Sequence, residues 1–118
     1  LEARQFGGGD PGDDIAALRE LTLSLNHAAE AAIRSWAGNN HGVRDAVERV
    51  DHNRIRTVQR AISRTISDTR KAEVMTSLGM DMLVGHQLRG GADDMDRFSA
   101  VLDEFLTLVY SHRTQQAS

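Results

Sequence analysis

The chain has 118 residues, a formal net charge of −3 and no cysteine. That length supports one domain with a real core rather than two, and the missing cysteines exclude disulfides and thiolate metal ligands. A net acidic chain is poorly suited to holding a phosphate backbone by itself, because non-specific affinity for nucleic acid comes from clustered Lys and Arg. If nucleic acid matters, another segment is expected to bind it. No apolar run approaches the roughly 18 residues that would span a bilayer, and Leu1 opens no signal peptide, so no membrane partner and a cytoplasmic location are expected. The chain starts on the helix-forming "LEAR" without an initiator Met, which reads as the middle of something larger.

The first break is "GGGDPGDD", residues 7–14, where four Gly and the only Pro predict a loop. It lacks the following Lys-Ser/Thr of a phosphate-binding loop. From Asp14 to Ala37 one helix is expected, with Ile15, Leu18, Leu21, Leu25, Ala29, Ala32, Ile33 and Trp36 in a single stripe, Asp13 or Asp14 at its start and Gly38 at its end. On this wheel His27 projects opposite the stripe, toward solvent. A second helix runs from about His41 or Val43 to Ser67, with Val43, Ala46, Val47, Val50, Val58 and Ala61 inward. A third spans about Thr69 to Arg89 and stops at Gly90-Gly91. A fourth follows an Asp93 cap and runs from Asp94 to about His112, with residues 113–118 frayed. No alternating β-branched run occurs, so the class is all-α, a helical bundle.

The last helix carries Phe98, Val101, Phe105 and Leu108 on one stripe and Met95, Leu102, Leu106, Val109 and Tyr110 on the next. That arc is roughly 200° wide, whereas covering a core on one side takes little more than about 100°. The third helix is similar: Val74, Met75, Leu78, Met82 and Gly85 face one way, while Met80, Val84 and Leu88 line another side. The excess apolar surface predicts pairing with the same two helices of a second copy, a homodimer with a four-helix interface made by Met80, Val84, Leu88, Leu102, Leu106, Val109 and Tyr110. The competing reading is that a missing part of a longer chain covers these faces.

Two stretches, "AVERVDHNRIRTVQRAI" and "MLVGHQLRGGADDMDRFSAVLDEFLTLV", resemble the C-terminal, effector-binding and dimerisation domain of TetR-family transcriptional regulators. The likeness covers about residues 14–112, leaving 1–13 as the end of a connecting helix and a Gly-rich loop. It implies a dimeric repressor in which a small-molecule effector enters each helical bundle and releases operator DNA held by an N-terminal helix-turn-helix absent from this chain. A ligand shifts that equilibrium only through differential affinity for the two states.

An effector pocket should be apolar with a few convergent polar groups, so polar or small residues inside apolar stripes are the candidates. Arg54 lies amid the valines of the second helix, where an unpaired guanidinium is costly; it meets the carboxylate or another acceptor of a ligand, or pairs with Asp81, Glu30 or Glu73, or snorkels its stem to solvent. His86 shares an arc with Met75, Gly79 and Met82, as a ligand contact or as a core histidine satisfied by a backbone carbonyl. Gly79 and Gly85 cost roughly 1 kcal/mol each in mid-helix relative to Ala and leave room for packing or for a bound molecule. Asn26 and Thr22 interrupt the first stripe, and Trp36 offers a flat wall. The expected ligand set is Asn26, Trp36, Arg54, Met75, Gly79, Met82 and His86.

His41, Asp45, Glu48 and His52 have helical spacing that could present metal ligands, but they form the polar face, so no metal or other cofactor is expected. "DHNRIRT", residues 51–57, suggests an alternative of another class, a helical phosphotransfer module with His52 as phosphoacceptor, although the Pro that commonly follows in such motifs is absent. With no Cys nucleophile and no Ser-containing elbow, an enzyme is not expected.

Overall fold

A computed structural model describes residues 11–89 and 93–117, which form five helices: α1 (Pro11–Ser24), α2 (His27–Ala37), α3 (His41–Thr65), α4 (Thr69–Leu88) and α5 (Met95–Ala117). No strand occurs among the described residues, and the all-α class holds. Residues 1–10 and Gly90-Gly91 of the expected connecting segment and helix stop lie outside the described residues.

Three boundaries differ from the sequence reading. The expected loop over 7–14 is already helical from Pro11, because a proline loses nothing by lacking an N–H in a first turn. Asp14 is therefore inside α1, buried, and paired with Arg64 rather than capping the start. The single helix expected over 14–37 is two: Asn26 leaves the helical region and its side chain accepts from the Ala29 N–H at 3.1 Å, starting α2 afresh. The tail expected to fray after His112 continues as helix through Ala117. The starts of α3 and α4 follow the same capping chemistry, with Asn40 accepting from the Val43 N–H at 3.0 Å and Asp68 from the Lys71 N–H at 2.9 Å.

The core has two parts. At one end Ile15, Ala61, Ile62, Ile66, Ala72, Met75 and Val109 bring α1, α3, α4 and α5 together. At the other, Met80, Leu83, Phe98 and Leu102 pack with Leu23, Leu25, Ile55, Met82 and Met95. Met75 shares a cluster with Val109 while Leu83 shares one with Phe98, so α4 and α5 run antiparallel. A Cβ added at Gly79 would sit 3.0 Å from Cζ of Phe105, which shows how closely the two helices cross there. The helix α1 lies antiparallel to α5 as well: the Tyr110 hydroxyl donates to the Gly12 carbonyl at 2.9 Å, and at the other end Arg19 donates to Ser99 Oγ at 2.8 Å. Val50, expected inward, is exposed together with Ile33 and Trp36.

Candidate functional site

The break at Asn26 re-phases α2 relative to α1, and the consequence is a polar cluster inside the bundle. His27, expected in solvent, is 4% exposed. Glu30 and Arg34 follow on the same face of α2, one turn apart, and Asp51 and Arg54 answer them from α3. Arg54 donates through both terminal nitrogens to Glu30, at 2.7 and 2.9 Å. Arg34 does the same to Asp51, at 2.8 and 2.7 Å. The two pairs step in opposite directions along the two helices, as an antiparallel hairpin closed by Gly38-Asn39-Asn40 requires. Bidentate geometry of this kind is the strong form of the carboxylate–guanidinium interaction.

Gln87 of α4, 1% exposed, joins the two pairs. Its Oε1 accepts from Arg34 Nε at 2.7 Å; its Nε2 donates to Glu30 Oε1 at 2.8 Å and lies 3.2 Å from Nδ1 of His27. Because Arg34 Nε can only donate, the amide orientation is fixed, and the Nδ1 of His27 must accept. The proton of that imidazole then sits on Nε2, which meets the Thr22 carbonyl at 2.9 Å. Beside it, the ring of His86 stacks on Phe98 at 4.0 Å and 3°, with His27 edge-on to both at 5.1 and 5.4 Å.

The electrostatics are balanced, two guanidinium groups against two carboxylates. Burial pushes the Glu30 carboxyl up, but hydrogen bonds from Arg54 and Gln87, with the charge of Arg54, outweigh it and hold the group below its ordinary value of 4.5. The Arg34 guanidinium is raised by its bond to Asp51 against the opposing effect of burial, with the charges of Asp51 and Glu30 adding to the rise. A carboxylate committed to a guanidinium and held below its normal range is a weak base, so this cluster is fitted to fixing α2, α3 and α4 in one register rather than to moving protons.

The expected ligand residues are spread over the bundle. Arg54 is held by Glu30, one of the partners foreseen for it, and His86 lies one residue from Gln87 in the aromatic part of the same cluster. Asn26 is a helix cap, and Trp36 is 59% exposed at the far end of α2. Met75 belongs to one core cluster and Met82 packs against the other, with Gly79 under Phe105 between them. The expected interface residues are also redistributed. Met80, Leu102 and Val109 are buried within the protomer, Val84, Leu106 and Tyr110 are half-buried, and Leu88 is exposed. The exposed large apolar residues of α4 and α5 besides Leu88 are Val74, Leu78 and Leu108.

Comparison with protein-family models, with curated proteins and with solved structures found no match. Among the described residues no group of three His, Asp or Glu could hold a metal ion, and His41, Asp45, Glu48 and His52 are all exposed along α3. No described helix is long and apolar enough to cross a membrane.

The residues missed from sequence were His27, Arg34, Asp51 and Gln87. A signal existed for two of them. Glu30 and Arg34 at i, i+4, followed by Asp51 and Arg54 at i, i+3 across a three-residue turn, is a complementary charge pattern on two consecutive helices. His27 and Gln87 gave none, since their burial follows from the break at Asn26 and the pitch of α4.

Proposed function

We propose that this chain is the dimerisation and effector-responsive part of a TetR-like transcriptional regulator, with α4 and α5 pairing against the same helices of a second copy. One observation carries the reading. The two closing helices cross closely at Gly79 and Phe105, and Val74, Leu78 and Leu108 on them are left exposed as an apolar margin. A second copy of the same helix pair, related by a two-fold axis, buries such a margin on both sides at once. The face differs from the one expected from the wheel, since Met80, Leu102 and Val109 serve the core of the protomer.

In this reading the Glu30–Arg54, Arg34–Asp51 and Gln87 cluster is the rigid link between α2, α3 and the interface helix α4. An effector that binds one arrangement of these helices better than another would shift the two-fold geometry, and a DNA-binding domain elsewhere in the protein would read that shift. Sedimentation equilibrium of the chain tests the first step. A mass of about twice 13.0 kDa is expected, with Leu78→Glu or Leu108→Glu weakening self-association at least tenfold, as a charge buried without a partner does. A monomeric wild-type chain, or a dimer indifferent to both substitutions, would remove the reading.

A further inference from the structure

A neutral imidazole has one nitrogen that donates and one that accepts. In His27, which is 4% exposed, the neighbours assign both roles. Its Nε2 donates to the Thr22 carbonyl at 2.9 Å, and its Nδ1 accepts from the Gln87 amide, 3.2 Å away. Gln87 is not free to reverse that second bond. Its Oε1 accepts from Arg34 Nε at 2.7 Å, and its Nε2 also donates to Glu30 Oε1 at 2.8 Å.

A proton on Nδ1 would set two donors against each other. Turning the Gln87 amide over would give Nδ1–H an acceptor, but it would point Nε2 at the Nε–H of Arg34 and take from Glu30 its bond from α4. Withdrawing Gln87 would break all three contacts. The ring is faced by Glu30 and Arg34 from α2, Asp51 and Arg54 from α3, and His86 from α4, with the uncharged Thr22 carbonyl of α1 and the Phe98 ring of α5 beside it. Glu30 favours a cation there, yet Arg54 already donates to both its oxygens, at 2.7 and 2.9 Å. The two carboxylates and two guanidinium groups cancel. An imidazolium therefore adds one unbalanced positive charge to a site almost closed to water, where charge is costly.

We propose that a proton on His27 and the Gln87 bridge exclude each other, so that acidification through the ordinary histidine range, about pH 6.5, unlatches α4 from α2. The latch does not depend on self-association, because Thr22, His27, Glu30, Arg34 and Gln87 belong to one protomer. The unfolded chain takes a proton on His27 near pH ~6.5 and the latched fold does not, so the contribution of the latch is complete above that value and falls as the pH drops below it. Glu30, held below its ordinary 4.5, stays ionised throughout this range.

Urea unfolding of the full chain, followed by circular dichroism, is compared at about pH 7.5 and about pH 5.5, one unit either side of the ordinary histidine value. The variant is His27→Asn, whose Oδ1 replaces Nδ1 as acceptor and does not titrate. The other titrating groups are common to both proteins. Between the two pH values the wild type is expected to lose about tenfold more in its folding equilibrium constant than the variant, the linkage of one proton across one pH unit. Histidine-ring NMR spectra of the wild type, with hydrogen exchange at Arg34 Nε, give a second reading that needs no variant. Folded molecules with Arg34 Nε protected should keep a neutral His27 ring protonated at Nε2, and any His27 imidazolium should appear only with loss of that protection. Parallel pH dependence of wild type and His27→Asn, or a His27 imidazolium while Arg34 Nε stays protected, overturns the proposal.

Discussion

Replacing Gln87 by Met keeps the length of the side chain and removes the amide that joins α2 to α4. Three contacts go with it: Arg34 Nε at 2.7 Å, Glu30 Oε1 at 2.8 Å and His27 Nδ1 at 3.2 Å. Leaving a buried donor or acceptor unsatisfied costs about 1–3 kcal/mol, more when the group is charged. The full sum is not expected. Arg34 and Glu30 keep their bidentate partners, and the Glu30 side chain is 22% exposed, so water can replace part of what is lost. The Arg34 and His27 atoms are more deeply enclosed, and they set the net cost at about 2–4 kcal/mol. That is a large share of the roughly 5–15 kcal/mol available to a domain. Urea unfolding followed by far-ultraviolet circular dichroism should show the loss as a lower midpoint with an unchanged slope. His52→Gln, on an exposed position of α3, should stay within about 0.5 kcal/mol of wild type. A Gln87→Met cost below about 1 kcal/mol would mean that the amide is not what fixes α4 against the two ion pairs.

Other expectations follow from the same contacts. Gly85→Ala meets open space and should stabilise the chain by about 1 kcal/mol through helix propensity. Gly79→Ala places its methyl 3.0 Å from Phe105 and should return clearly less than Gly85→Ala in the same denaturant titration; equal gains would show that Phe105 yields freely. Asn26→Ala removes the α2 cap and should cost about 1 kcal/mol, measured by thermal unfolding. The Glu30 carboxyl, lowered in the fold, contributes stability that is present above its ordinary value of 4.5 and lost as pH falls through its folded value. The stability difference between wild type and Glu30→Gln should therefore shrink as the medium is acidified below about pH 4.5, and a difference that stays constant into strong acid would contradict the depressed carboxyl.

The sequence by itself determined the all-α class, the number of hydrophobic helical segments after Asn40 and most of their boundaries. Those properties are local: apolar periodicity and the absence of strand patterning act within a few residues. It also pointed to Arg54 as a group that needs an anionic partner, because a guanidinium among valines is costly wherever the chain goes. Tertiary structure decided the rest. A cap at Asn26 competes with continuing the helix by a margin of about 1 kcal/mol, and that margin moved His27 from the expected solvent face into the core. The wide apolar arc of α5 was legible, but which half of it faces the protomer was not. Two stripes of similar hydrophobicity differ only in what packs against them, and α1 claimed one of them through Gly12 and Arg19. Gln87, an ordinary polar residue in sequence, became the junction of the buried cluster because α4 brings its amide within reach of both ion pairs at once.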